Sequence, residues 1–157
     1  DELQKAELKI MTDLLEYNQT KLNLYTENLL RKNELVGQLE LQLKDSVQHS
    51  KVETESGKEL IQNFSAIRIL TDDDWDEFKT LFNNVHKGML DRLLSEHEQL
   101  TLGEQRLFLL MKLNLSTREI ANILGVSPES IKKGRYRLKK KLNLSEDKTL
   151  QDFVIEF

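Results

Sequence analysis

The chain has 157 residues, of which 38% are hydrophobic and 32% charged, and its formal net charge is −4. This length suffices for one or two small domains, and the high charge favours an all-helical protein with long exposed surfaces. The absence of cysteine excludes a disulfide framework and a thiolate metal site. No apolar run has the length of a transmembrane helix and no secretory signal opens the chain, so the sequence predicts a cytoplasmic protein without direct membrane contact. Because the chain begins with Asp1 rather than Met, we expect it to be part of a longer protein.

The N-terminal segment, residues 1–56, is predicted to form a coiled-coil dimerisation helix. Between residues 3 and 44 there is no proline, and an apolar residue recurs at every seventh position. Three residues after these positions, Asn18 and Lys32 place polar groups in a second seam, which costs stability but fixes register. The predicted homodimer seam consists of Leu8, Leu15, Leu22, Leu29, Val36 and Leu43.

Two alternatives stay open for this first helix. It can be an ordinary amphipathic helix that packs within its own domain. It can also contribute to a four-helix arrangement of two hairpins, because a second partial stripe widens its apolar face. That second stripe consists of Leu3, Ile10, Leu14, Tyr17 and Leu24.

Residues 57–99 are predicted to form a helical connector. The apolar pattern weakens between 45 and 58, which indicates a linker or a hairpin turn, and it recovers between 59 and 70 as a second arm. Thr71 then precedes three aspartates at 72–74. We interpret them as a helix N-terminus, where carboxylates complement the macrodipole, and not as a metal site or a phospho-receiver pocket, which needs parallel strands. Helices over 75–85 and 89–94 are expected to follow.

Residues 100–157 carry signals of short helices joined by tight turns. Ser116 precedes Glu119 by three residues, which is the spacing of a capping box. Gly125 lies where a helix end needs a left-handed residue, and Ser127 followed by a proline opens a second helix over 128–142. This order is typical of a helix-turn-helix, whose second helix enters the major groove of DNA.

Other signals in this segment predict local structure. Thr101 and Glu104 form a further capping box, and Asn114 can take the left-handed conformation that ends a helix. Gly134 lies on the inward face of the second helix, where we expect close packing. A final helix after Ser145 has an apolar stripe that can pack on the aromatic residues Trp75 and Phe78.

Positive charge is concentrated in one helix. Residues 128–142 hold seven basic residues and one acid, a net +6, which leaves −10 for the rest of the chain. A cationic helix on an acidic body indicates nucleic-acid binding through one face. If Ile131, Leu138 and Leu142 point inward, the outward residues are Glu129, Lys132, Lys133, Tyr136, Arg137 and Lys140.

A series of residues in the last third of the chain keeps a fixed order and spacing: Leu100-Thr101, Glu104, Leu115-Ser116, Glu119-Ile120-Ala121, Leu124, Val126-Ser127, Ser130-Ile131-Lys132, Leu138 and Lys141-Leu142. In this order they resemble the C-terminal DNA-binding domain of LuxR/NarL-type regulators. The resemblance implies a four-helix helix-turn-helix domain and a sequence-specific, dimeric transcriptional regulator that binds double-stranded DNA. It also implies that the stripe of the final helix is a dimer contact, which is the alternative to packing on Trp75 and Phe78. Together with RKNEL and DDWDEFKTLFNNVHKGMLDRL, nearly the whole chain resembles the cytoplasmic C-terminal part of large, membrane-anchored Bacteroidetes sensor-regulators.

The resemblance also implies roles for individual residues. Lys132, Lys133 and Tyr136 fall at positions that face base edges in the major groove. Arg137 and Lys140, with Lys139 and Lys141, are better placed for phosphates, which give affinity rather than sequence choice. The N-terminus of the first helix of the motif is a further candidate phosphate contact, formed by Ser116, Thr117 and Arg118.

Three other classes of protein stay open. A sigma-factor-like promoter-binding region has a similar motif and would bind RNA polymerase, which is also an open partner of a regulator. A histidine-kinase-like dimerisation and signalling module would use His49, but QHSKVE lacks the acidic residue and the proline usual after such a histidine. A purely structural coiled coil is the third. We expect no enzyme, no cofactor and no metal, because no nucleophile–base pair or phosphate-binding glycine loop is found.

Overall fold

The computed structural model describes residues 1–49, 55–68 and 70–157, and within 55–68 the side chains of 55, 57–60, 62 and 63. These residues form helices and no strands, which confirms the all-α prediction. None of the helices in this part of the chain combines the length and apolarity needed to cross a bilayer. In order they are α1 (Glu2–His49), α2 (Glu55–Arg68), α3 (Asp72–Val85), α4 (Met89–Glu96), α5 (Leu102–Lys112), α6 (Thr117–Leu124), α7 (Pro128–Lys141) and α8 (Leu150–Glu156).

One side of α1 is buried by helices of the same chain. Its buried positions alternate four and three residues apart, as in a heptad, and α1 packs on α2, α3 and α6. These positions are Leu22, Thr26, Leu29, Asn33, Val36 and Glu40. The buried polar residues lie four positions after the buried apolar ones, and not three as predicted for the second seam. The prediction that Lys32 belongs to that seam is therefore wrong, and its side chain is exposed.

The predicted dimer seam is therefore buried in its central part and exposed only in its N-terminal part. Leu22, Leu29 and Val36 are buried, and Leu43 is half-buried, within one chain. They are not accessible to a second copy, because neighbouring helices of the same chain cover them. Packing within one chain is also favoured because it avoids the entropy cost of association. Only the N-terminal part of the seam is open, with Leu8 65% and Leu15 48% exposed.

The second arm of the hairpin begins earlier than predicted. α1 continues to His49 and α2 begins at Glu55, so both helices reach into the segment interpreted as a linker or turn, whose middle, 50–54, lies outside the described residues. α2 packs on α1, and Leu70 after it is buried. Contacts of α1 with α3 and α6 cross both predicted domain boundaries, at 56 and at 99.

α3 begins where the acidic run predicts. The Thr71 side chain accepts from the backbone N–H of Asp74, while the Asp74 carboxylate accepts from the N–H of Thr71. These backbone and side-chain hydrogen bonds lower the pKa of Asp74. Behind this cap, Trp75 and Phe78 pack edge to face with ring centroids 5.3 Å apart. The aspartates therefore begin a helix, as predicted.

His86 at the end of α3 is expected to make stability fall in mild acid. Its ring lies 4.7 Å from that of Phe82. Burial, and then the charge of Lys112, lower its pKa below the ordinary 6.5. The folded state thus holds the neutral ring, and its stabilisation is complete above pH 6.5 and declines as the pH falls below that value. Urea unfolding at pH 7.5 and at pH 5.5 should show a smaller loss for His86→Gln than for the wild type. Equal losses would contradict this role of His86.

α5 to α8 form a four-helix unit in which α5 contacts each of the other three helices. Asn114 has φ 60°, so it ends the segment after α5 in the left-handed conformation, as predicted. A Cβ built on Gly134 would lie 3.2 Å from Leu107 Cδ2, so the glycine allows α7 to approach α5 closely. This contact confirms the packing reason predicted for Gly134.

The apolar stripe of α8 packs within the chain, but not on the surface that the sequence predicts for it. Its Leu150 and Val154 are buried, and α8 packs on α5 and α7. The rings of Phe153 and Phe157 meet the Phe108 ring edge-on, with centroids 6.4 and 5.4 Å away. The stripe therefore docks on α5 rather than on Trp75 and Phe78, and the same burial leaves it little area for a dimer contact.

Candidate nucleic-acid interface

The turn between α6 and α7 is fixed at both sides by backbone hydrogen bonds. Gly125 has φ 67° and its N–H donates to Asn122 O, while the N–H of Val126 donates to Ala121 O at 3.0 Å. Two residues later the Ser127 side chain accepts from the N–H of Ser130 at 3.1 Å, and α7 begins at Pro128. The turn sets the angle at which α7 leaves α6, so the outward face of α7 has a defined direction.

The opposite side of this turn is attached to the long helix. Asn33 is 1% exposed, and its Nδ2 donates to the carbonyl oxygen of Asn122 at 2.9 Å. Asn122 is three residues before Gly125, so this hydrogen bond holds α1 next to the turn. Sequence analysis missed the contact, because its acceptor is a backbone atom 89 residues away and no spacing rule indicates it.

α7 divides into an inward apolar side and an outward basic side. Ile131, Leu138 and Leu142 are buried, as the helical spacing predicts. The outward residues form one exposed surface on α7, which we call the basic face; it consists of Lys132, Lys133, Tyr136, Arg137 and Lys140. Tyr136 is 62% exposed, so both its ring and its hydroxyl are accessible. No part of the described chain buries this face.

Side chains on the basic face are held by their neighbours along the helix. Lys132 Nζ lies 3.2 Å from a carboxylate oxygen of Glu129, and both side chains are mostly exposed. Lys140 Nζ lies 4.6 Å from the centroid of the Tyr136 ring, a cation–π geometry. Exposed contacts of this kind contribute little stability, so a ligand with negative charge can replace them at low cost.

Lys141 and Arg135 do not belong to the basic face. Lys141 Nζ lies 2.9 Å from a carboxylate oxygen of Glu104, which is 12% exposed, and it also donates to Gln99 O. Burial raises the pKa of Glu104, but hydrogen bonds from Lys141 and Thr101 outweigh this effect and lower it. The prediction of a phosphate contact at Lys141 is thus wrong for this conformation, because the lysine joins α7 to α5. Burial lowers the pKa of Arg135, which is half-buried.

The predicted phosphate contact at the start of α6 is partly occupied by the chain itself. The Ser116 N–H donates to the Glu119 carboxylate at 2.8 Å, and the Ser116 hydroxyl accepts from the Glu119 N–H. The capping box is therefore confirmed, and it places a carboxylate beside the N-terminus. Thr117 is half-buried and Arg118 is exposed. Of the three predicted residues, Arg118 has the side chain best suited to an anion.

The remaining candidate positions are scattered over the chain. His49 lies exposed at the last position of α1. Among the described residues, no group of three or more histidine or carboxylate side chains is arranged to hold a metal ion. Comparisons with protein-family models, with curated proteins and with solved structures return no match for this chain.

Proposed function

We propose that this chain is a sequence-specific DNA-binding transcriptional regulator of the LuxR type, whose α7 enters the major groove of double-stranded DNA. The observation that carries this proposal is the basic face: four cationic side chains and one tyrosine, all exposed on a helix that is buried from behind. A B-form major groove is about 12 Å wide and admits one α-helix with its side chains.

The residues of the basic face are assigned to two kinds of contact, with base edges and with phosphates. Lys132 and Lys133 lie in the first half of the helix, with Tyr136 about one turn after Lys132 on the same face, and the N-terminal part of a recognition helix is the part that contacts base edges. Lysine donates to O6 and N7 of guanine, and Glu129 can accept from N4 of cytosine once it releases Lys132. Arg137 and Lys140 lie one to two turns further along, where the groove wall brings phosphates within reach.

The four-helix unit supports this assignment by its rigidity. α7 is fixed to α5 through the Lys141–Glu104 ion pair at 2.9 Å and through the close approach of Gly134 to Leu107. It is fixed to α6 by the capped turn at Gly125. A recognition helix needs such a fixed orientation, because base readout depends on hydrogen bonds with narrow limits of distance and angle.

Two copies are part of the proposal. A single α7 reads about one half-site, and a two-fold dimer reads two half-sites about one helical turn of DNA apart. The target site is therefore expected to be an inverted or direct repeat. RNA polymerase remains a further partner to be tested, since the sigma-factor-like class shares the motif but predicts binding to core polymerase in the absence of DNA.

The experiment is selection of bound sites from random duplex DNA at two salt concentrations. We expect one enriched sequence, and an affinity that falls with salt because the bound phosphates release counterions. Arg137→Ala/Lys140→Ala should reduce the slope of log affinity against log salt by about two per copy, with no change in the enriched sequence.

A matched control removes the same charge elsewhere. Lys5→Ala/Lys9→Ala, on exposed turns of α1, should leave the slope unchanged. Failure to enrich any sequence at either salt concentration would reject a sequence-specific regulator. An unchanged slope in Arg137→Ala/Lys140→Ala would show that these two residues do not contact phosphates, and the absence of any salt-dependent DNA binding would favour the structural coiled coil.

A further inference from the structure

α1 carries a second apolar stripe that the rest of the described chain does not cover. Four of its residues, at positions 3, 10, 17 and 24, recur every seven positions. Two more, at 14 and 35, lie four residues after position 10 and after position 31, where the same series continues. Their side chains are 53–67% exposed. We call this surface the outer stripe; it consists of Leu3, Ile10, Leu14, Tyr17, Leu24 and Leu35.

We propose that the outer stripe pairs α1 with the α1 of a second copy, as a parallel, in-register, two-stranded coiled coil. This inference deepens the two-copy part of the proposed function, but it does not depend on DNA binding. It also moves the dimer surface away from the predicted seam, whose central residues Leu22, Leu29 and Val36 are buried within one chain.

The outer stripe and the buried seam are on different sides of α1. At 100° per residue, Leu24 and Leu35 lie roughly 120–160° around the helix from Leu22 and Leu29, which is a third to nearly half a turn. A second copy can therefore contact the outer stripe while α3 and α6 keep their contacts on the other side. The arrangement does not require the chain to unfold or to exchange its own helices.

The length of α1 argues that its partner is another α1. It has 48 residues, whereas the next longest described helices have 14. A stripe that keeps a seven-residue period over 3–24 matches a partner helix of the same period and length, which a second copy supplies with identical spacing. Complete burial of the six side chains would remove on the order of 700 Å² of surface per copy, which is below but near the ~800 Å² per partner of a stable interface.

Polar residues in the outer stripe favour parallel and in-register pairing. Asn28 is exposed and lies fourteen residues after Leu14 and seven before Leu35, which places it in the same row. In a parallel pair it meets the Asn28 of the second copy, and such a pair fixes register in two-stranded coils. An antiparallel pair would instead place Asn28 opposite the other row, that of Ile10 and Leu24.

Charged side chains at the edge of the stripe agree with this register. Glu27 of one copy lies five residues before Lys32 of the other, the spacing that brings opposite charges together across a parallel coil. Lys21, within the stripe, has its Nζ 5.0 Å from the centroid of the Tyr17 ring, so its charge is directed along the helix surface. In a parallel pair the two Lys21 side chains lie opposite each other, as the two Asn28 side chains do, and the contact with Tyr17 partly offsets their repulsion.

The first experiment measures association without DNA. Sedimentation of the wild type at about 50 μM should give a dimer. Ile10→Glu/Leu14→Glu should raise the dissociation constant by roughly 100-fold or more, because four carboxylates enter the seam. Helical content should be unchanged, since both side chains are exposed in one chain. Leu41→Glu, at a 69% exposed position outside the outer stripe, is the matched control and should stay dimeric.

The second experiment tests direction and register. The chain has no cysteine, so a single introduced thiol reports one position. Asn28→Cys should form a disulfide-linked dimer on mild oxidation, because its Cα atoms would lie within disulfide reach only in a parallel, in-register pair. Gln19→Cys, exposed and away from the outer stripe, should not.

The inference would be overturned by a monomeric wild type, by a dimer that survives Ile10→Glu/Leu14→Glu, by the absence of cross-linking at Asn28→Cys, or by cross-linking at Gln19→Cys that equals or exceeds it. The proposed function fails separately: a dimer with the expected cross-link but without sequence-specific DNA binding would keep this inference and reject the regulator.

Discussion

Lys132→Ala/Lys133→Ala is expected to remove most of the preference of the protein for its selected DNA site. Both side chains are exposed in the first half of α7, which the proposed complex places next to base edges. Each base contact contributes about 1–3 kcal/mol of discrimination. The two neighbours are not additive, so we expect a loss of about 2–4 kcal/mol, which is roughly 30- to 1,000-fold in affinity for the selected site.

The same variant should bind scrambled duplex DNA with a much smaller loss. Fluorescence anisotropy with the selected and the scrambled duplex, each at two salt concentrations, measures both quantities. Lys140→Ala is the matched control: it also removes a lysine from the basic face, but it should weaken both duplexes alike and lower the salt slope by about one. If both variants weakened the two duplexes equally, the division of α7 into base and phosphate contacts would be wrong.

Helix beginnings and ends could be predicted from the sequence because each of them depends on residues three or four apart. Thr71, Thr101 and Ser116 each accept from the backbone N–H three residues on. Gly125 is left-handed where the pattern requires it. These hydrogen bonds are completed within one turn, so no knowledge of the tertiary structure is needed to expect them.

Partners of the apolar stripes could not be predicted in the same way. A heptad shows that α1 has a partner, but not whether that partner is in the same chain, and the buried seam proved to be intramolecular. The spacing of the stripe that contains Phe153 and Phe157 was likewise predicted correctly. Its packing partner was not, because Phe108 lies about 45 residues earlier in the chain. Contacts at such separations depend on the packing of several helices at once, which periodicity does not describe.

The candidate interface was predictable in its residues but not in all of its charges. Helical spacing separates the exposed Lys132 and Lys140 from the buried Leu138. It cannot show that Lys141, one residue further, is engaged by Glu104, because that carboxylate comes from another helix. A count of basic residues therefore overestimates the charge available to a ligand, since Lys141 is paired with Glu104 and Arg135 is half-buried.

Phe108→Ala is expected to be among the most destabilising single changes in the chain. Phe108 has 0% exposure, and the rings of Phe153 and Phe157 meet it edge-on. Truncation removes the ring, leaves a cavity and loses both aromatic contacts, at a cost of about 3–5 kcal/mol. Because small proteins have a total stability of about 5–15 kcal/mol, this loss should lower the urea midpoint substantially.

The same variant distinguishes one cooperative core from two separate ones. Buried residues from Leu22 in α1 to Val154 in α8 form one contiguous cluster, which also contains Trp75, the single tryptophan. Trp75 fluorescence and helical circular dichroism should therefore shift together to lower urea in Phe108→Ala. Leu102→Ala, on the same helix but 59% exposed, is the control and should shift either signal by no more than about 0.5 kcal/mol. A shift in circular dichroism alone would mean that α5–α8 unfold independently of α3, because the Trp75 environment would then survive the loss of the Phe108 contacts.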